Sequence, residues 1–194
     1  MNYPTKVKIE NEEYSINTDF RIAIECDKIA RDLSINDFER ALAIIYKLYG
    51  EKGLKAKNNY DKLLELAQKY LSCGKERTDK TKREEPDMDF EQDMDYIEAS
   101  FMSDYNIDLA NIEMHWWKFF NLINGLSNNE LGNCCILNRI RNLRNYDTSQ
   151  IKDSKERQKI EEVKRQVALK KKEKTLSKEQ KESVDRFNKL AGIN

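Results

Sequence analysis

Near the start of the chain Val7 and Ile9, then Tyr14 and Ile16, stand apolar among polar neighbours on either side of Glu10-Asn11-Glu12-Glu13. A side-chain period of two interrupted by a polar turn predicts a short β-hairpin, which needs helices to pack on because two strands alone bury too little surface. After it the period changes. Thr18 or Asp19 can cap a helix carrying Phe20, Ile22, Ala23, Ile24, Cys26 and Ile29, since a short polar side chain satisfies the free N–H groups of a first turn. Ser34 is placed to cap a second helix, Ile35 to Tyr49, with Phe38, Leu42, Ile45 and Leu48 on one stripe and Gly50 and Gly53 ending it. A third helix, Asn58 to Cys73, buries Leu63, Leu64, Ala67 and Leu71, and Gly74 then opens the polar stretch KERTDKTKREEPD, a linker by composition.

Beyond Pro86 the spacing of three and four returns. Phe90, Met94, Ile97 and Phe101 predict an acidic helix from Met88 to Ser103 with one face to dock. The most apolar segment, Ile107 to Leu126, contains MHWWKFFNLINGL, and after the Gly125 turn a further helix from Asn129 to Arg144 should pair with it as a helical hairpin. From Asp153 the apolar residues thin to Ile160, Val163, Val167 and Leu169 among Lys and Glu, so this helix is largely exposed; Ser177 is placed to cap a final helix through Leu190.

These elements predict a mostly α fold: a small helical domain with a short N-terminal β-hairpin and an extended, charged C-terminal helical tail. The chain divides into a hairpin with helices (1–73), a polar linker (74–88), an acidic and aromatic helical region (89–150) and a basic, solvent-exposed tail (151–194). Composition agrees, because 6 Gly and 2 Pro in 194 residues suit long helices and not a turn-rich sandwich.

The formal charge of zero conceals an asymmetry. From Glu84 to Glu113 there are 11 Asp or Glu and no Lys or Arg, whereas Ile151 to Asn194 holds 14 Lys or Arg against 8 Asp or Glu, a net +6. Such blocks can attract one another within the molecule, pair between copies, or recruit an oppositely charged partner, each in a salt-dependent way. The opening residues lack an apolar stretch fit for a signal peptide, and no run of about 18 apolar residues occurs, so a soluble cytoplasmic protein is expected.

The candidate chemistry is sparse. His115 is the single histidine and stands without the spacing of a ligand set, so a core or interface position is expected of it. Asp87, Asp89, Glu91, Asp93 and Asp95 alternate as in a calcium loop but lack its central Gly and distal Glu; carboxylates at a helix N-terminus suit the helix dipole instead. Cys26, Cys73, Cys134 and Cys135 have neither zinc-ribbon nor redox spacing and are expected to be reduced, mostly core residues. No phosphate-binding glycine loop or serine elbow is present. The expectation is therefore a protein that is not an enzyme, with no catalytic residues, metal or cofactor. The basic residues raise nucleic acid as a partner, but Ile151 to Arg186 has no aromatic residue on which bases could stack, which argues against it. Adjacent Trp116 and Trp117 must point to different sides of a helix, so one stripe cannot bury both, and the neighbourhood of Trp116, Trp117 and Phe120 is a candidate partner-binding surface. Arg139, Arg141 and Arg144 are candidate electrostatic contacts beside it.

The segments KVKIENEEYSINTDFRIAIE, DMDYIEASFMSDYNIDL, MHWWKFFNLINGL and LNRIRNLRNYDTSQIKDSKERQKIEEVKRQVALKK together resemble a family of small bacteriophage proteins encoded in the tail module, beside the tape-measure gene of phages with long non-contractile tails. The resemblance extends over the whole length. It implies a tail-assembly role in the host cytoplasm: a chaperone that binds the tape-measure protein, and possible further tail proteins, before the tube polymerises, with homo-oligomerisation possible and no membrane involved. A minor structural component of the tail and a DNA-binding regulator are the competing classes. The family supplies no catalytic residue to transfer.

Overall fold

The computed structural model describes residues 3–75, 86–128 and 134–170. The expected helix capped by Ser177 and the remainder of the tail lie outside the described residues. The fold is mostly α, with seven α-helices and one two-stranded hairpin among the described residues. The described residues separate into two compact units, one within 1–74 and one within 75–170.

In the first unit, β1 (Lys6–Ile9) pairs antiparallel with β2 (Glu12–Ser15), with Val7 opposite Tyr14 and Ile9 opposite Glu12. The two-residue turn places Glu10 at a positive φ of 54°. That register puts Val7, Ile9 and Tyr14 on one face, and Tyr14 is fully buried. Helix α1 (Phe20–Ala30) takes Asp19 as its cap, the carboxylate accepting from the Arg21 N–H at 2.9 Å. Phe20, Ala23 and Cys26 form its buried face.

Helix α2 (Asp37–Lys55) departs from expectation in three ways. It is capped by Asn36, not Ser34: Asn36 Oδ1 accepts from the Glu39 N–H and Glu39 reaches back to the Asn36 N–H, both at 2.9 Å. Ser34 is already bonded to the Asp32 carboxylate. Gly50 does break the helix as expected, but a further helical segment continues beyond it to Lys55 across a kink, at φ 64° and ψ −157°, a region open essentially to glycine alone. Gly53 is needed for close approach, since a Cβ there would lie 2.7 Å from that of Tyr49. The core face is Ile44, Ile45, Leu48 and Tyr49, while Phe38 is 63% exposed.

After a 3₁₀ turn at Lys57–Asn59, helix α3 (Tyr60–Leu71) packs on α2 and buries Leu63, Ala67 and Tyr70. Tyr70 occupies the place expected of Leu71, and Leu64 is only half-buried. The Asn17 N–H donates to Leu48 O at 2.8 Å and Lys52 Nζ donates to Glu13 O at 2.6 Å, so the hairpin is tied to α2 through backbone acceptors.

In the second unit, helix α4 (Met94–Tyr105) begins six residues later than Met88, because residues 87–93 form a turn of their own. The helix ends on Asn106 in the left-handed conformation, φ 53°, a position Asn tolerates better than most residues. Helix α5 (Trp116–Asn124) buries Trp116, Phe119 and Ile123, and helix α6 (Ile136–Asn145) buries Leu137 and Asn138. The expected hairpin of these two is replaced by packing of α6 on α4. The Ser100 hydroxyl explains it locally: it accepts from the Leu137 N–H at 3.1 Å and so receives the first turn of α6. Residues 129–133, where that helix was expected to begin, lie outside the described residues. Helix α7 (Ser154–Val167) contacts α6 and, as expected, has no buried residue.

Candidate partner-binding surfaces

The acidic turn before α4 is built around two carboxylates. Asp89 Oδ1 accepts from the Glu91 and Gln92 N–H groups, each at 3.0 Å, and Asp93 Oδ2 accepts from the Asp89 N–H at 3.0 Å. Asp93 is fully buried, and Arg144 meets it in a fork, both terminal nitrogens at 2.7 Å from its two oxygens. The same guanidinium donates to Asp87 O at 2.8 Å and to Val167 O at 2.7 Å. Its hydrogen bonds to Asp93 hold it above its ordinary pKa. Arg141 pairs with Asp87 at 3.1 Å, and Gln92 exchanges two hydrogen bonds with the backbone of Lys170, at 2.8 and 3.2 Å. One clamp therefore joins the turn, α6 and the end of α7. The alternation of carboxylates serves caps and ion pairs here.

Of the six residues expected to bind a partner, the clamp engages Arg141 and Arg144 within the unit, while Arg139 stays exposed. Trp116 is 4% exposed and belongs to an aromatic core. It stacks on Phe119 at 5.8 Å between ring centres, Phe119 stacks on Phe101 at 5.2 Å, and Phe90 meets Trp116 edge-on at 5.9 Å. Trp117 and Phe120 are half-buried, and Lys75 Nζ lies 5.1 Å from the centre of the Phe120 ring, a cation–π arrangement. His115 caps α5, its Nδ1 accepting from the Trp117 N–H at 3.0 Å, a role its lack of partners in the sequence did not reveal.

None of the four cysteines forms a disulfide. Burial pushes the Cys26 thiol up to about 12, and burial also raises Cys134. Neither is activated toward a thiolate, and only Cys26 is also shielded by full burial.

Two surfaces stand out by exposure. On α2, Phe38, Leu42 and Tyr46 follow one another every four residues, with Phe38 63% and Tyr46 50% exposed. Sequence reasoning missed this stripe by placing Phe38 and Leu42 with the core; four-residue spacing through Tyr46 was the available signal. In the second unit a groove of about 790 Å³ is lined by Ala99, Ser103, Tyr105, Gly125, Cys134 and Ile136, among others. No group of three or more His, Cys, Asp or Glu among the described residues is arranged to hold a metal ion, and no described helix is long and apolar enough to cross a membrane.

By fold this is a mostly helical protein with an N-terminal hairpin, and its sequence is that of a bacteriophage protein. The family model described as Bacteriophage Gp15 protein matches residues 2–169, and the chain belongs to that family. The match takes in both compact units. No curated protein and no solved structure matches the chain.

Proposed function

We propose that this phage protein acts in tail assembly as a chaperone, binding the tape-measure protein in the host cytoplasm before the tail tube polymerises. The observation that carries the reading is the Phe38–Leu42–Tyr46 stripe. A monomeric protein gains nothing by leaving two aromatic rings on one helix ridge in water, and an amphipathic helix of a client would cover them. Membership of a phage family supports a phage protein as the client, and the resemblance to tail-module proteins is the ground for naming the tape-measure protein.

The role is one of binding and not of catalysis. Asp87 and Asp93 are committed to arginines, His115 to a helix cap, and Cys26 to the buried core. Trp117, Phe120 and Arg139 remain as secondary contacts on the second unit. Weak, repeated contacts of this kind hold a long helical client strongly in sum and still release it when tube subunits compete.

The test is co-expression with the tape-measure protein of the same phage, followed by affinity capture and size-exclusion chromatography. A soluble, co-eluting client that is lost on Phe38→Ala/Tyr46→Ala supports the reading. A client that stays insoluble, together with recovery of this protein from purified virions, overturns it in favour of a structural tail component.

A further inference from the structure

We infer that two copies of this chain associate through charge-matched helices, the acidic outer face of α4 on one receiving the basic outer face of α7 on the other. This goes beyond the tail-assembly reading and does not depend on it.

The argument begins with what α4 leaves uncovered. Asp95, Glu98, Ala99 and Met102 recur at spacings of three and four and are all exposed, Met102 to 45%. From Met94 to Glu113 the sequence has five carboxylates and no cation. No arginine of α6 pairs with Asp95 or Glu98 among the described residues: Arg141 and Arg144 are taken by Asp87 and Asp93, and Arg139 faces solvent. Among the described residues nothing neutralises this face, which has an apolar side chain at its far end.

Helix α7 presents the complementary pattern. Lys155, Lys159 and Val163 follow one another every four residues, all exposed, Val163 to 43%. No ion pair engages Lys155 or Lys159 among the described residues, and the carboxylates of Glu156 and Glu162 border the stripe on its two sides. From Lys152 to Lys170 there are seven cations against four carboxylates. Seven residues separate Asp95 from Met102 and eight separate Lys155 from Val163, spans of roughly 10–12 Å along a helix. Laid side by side in the same direction, each lysine meets a carboxylate and Val163 meets Met102. A two-fold pairing forms the contact twice.

The experiment is sedimentation velocity on the full chain, with two double charge reversals, Asp95→Lys/Glu98→Lys and Lys155→Glu/Lys159→Glu. All four residues are exposed, so both variants keep wild-type circular dichroism. The wild type should dimerise at low salt and weaken at least about tenfold in dissociation constant between about 50 mM and about 500 mM NaCl. Each reversal should weaken the dimer at least as much, since it sets like charges against one another in both contacts. An equimolar mixture of the two variants should recover a dimer of near wild-type affinity, because opposite charges then face each other in both contacts. A wild type that is monomeric at low salt overturns the inference. So does a dimer that neither reversal weakens, or two weakened variants that fail to associate when mixed.

Discussion

Arg144→Ala should unfold the second unit at markedly lower denaturant while leaving the first unit's transition in place. Arg144 has a side chain only 10% exposed and makes four short hydrogen bonds, two to Asp93 and one each to the carbonyls of Asp87 and Val167. Truncation leaves a fully buried carboxylate without its counter-charge, and breaking a buried pair from one side costs about 3–5 kcal/mol. For a unit of this size about 3 kcal/mol corresponds to roughly 12–24 °C in Tm, or to about 1–3 M in the urea midpoint. The assay is selective, because the only two tryptophans, Trp116 and Trp117, lie in the second unit; their fluorescence follows that unit while circular dichroism follows both. Arg144→Lys should fall between, since an ammonium cannot reproduce the fork. Asp93→Leu/Arg144→Met should recover most of the loss, because neither charge is then buried alone. A fluorescence transition shifted by less than about 1 kcal/mol in Arg144→Ala would refute the reasoning, since that is the scale of a solvated surface pair.

Gly50→Ala should cost about 1–3 kcal/mol in the first unit although nothing lies within 4 Å of the added Cβ, because the penalty is conformational; urea unfolding followed by circular dichroism measures it. Asn106→Ala at the left-handed end of α4 should cost about 1 kcal/mol and Asn106→Gly almost nothing, read from the tryptophan transition. Labelling with a thiol reagent under native conditions should modify Cys73 and Cys134 first and Cys26 only at the rate of unfolding, since Cys26 is fully buried with its thiol raised to about 12. Asp104 responds to acid. Burial pushes its carboxyl up, but hydrogen bonds from Ser127 and Ser103 outweigh that and leave it below the ordinary 3.8. A lowered folded pKa means stability present above 3.8 and lost as pH falls through the folded value, so Asp104→Asn should flatten the acid limb of a stability profile.

What was legible in the sequence was whatever local pattern decides. The hairpin followed from alternation, the start of α1 from the capping pair Thr18-Asp19, of which the structure uses Asp19, and the exposure of α7 from its charge density. The capping box of α2 was legible too, in Asn36 and Glu39, but Ser34 competed as a cap and only the bond to Asp32 removes it. Phe90 kept its helical spacing with Met94 and Ile97 while standing in a turn, because a residue just before a helix can reach the same core as one inside it. The clamp was not legible. Asp93 and Arg144 are 51 residues apart, and nothing local distinguishes them from the other carboxylates and arginines around them. For the same reason Trp116 was indistinguishable from Trp117 until α5 had a neighbour: one of the pair had to face inward, and Phe101 and Phe90 decide which.

The structure thus sorts a charge pattern that the sequence presents as two undivided blocks. Asp87 and Asp93 are consumed with Arg141 and Arg144 in holding the turn, α6 and α7 together, whereas Asp95, Glu98, Arg139, Lys155 and Lys159 remain at the surface. The two sets should answer differently to salt. A buried pair is screened little, whereas charges facing water lose most of their mutual attraction beyond about 10 Å at 0.1 M salt. Raising salt should therefore strip associations from the second unit well before it loosens the unit itself. The tail-assembly role proposed above needs that separation: partner contacts weak and reversible, and the scaffold presenting them unaffected by the conditions that release them.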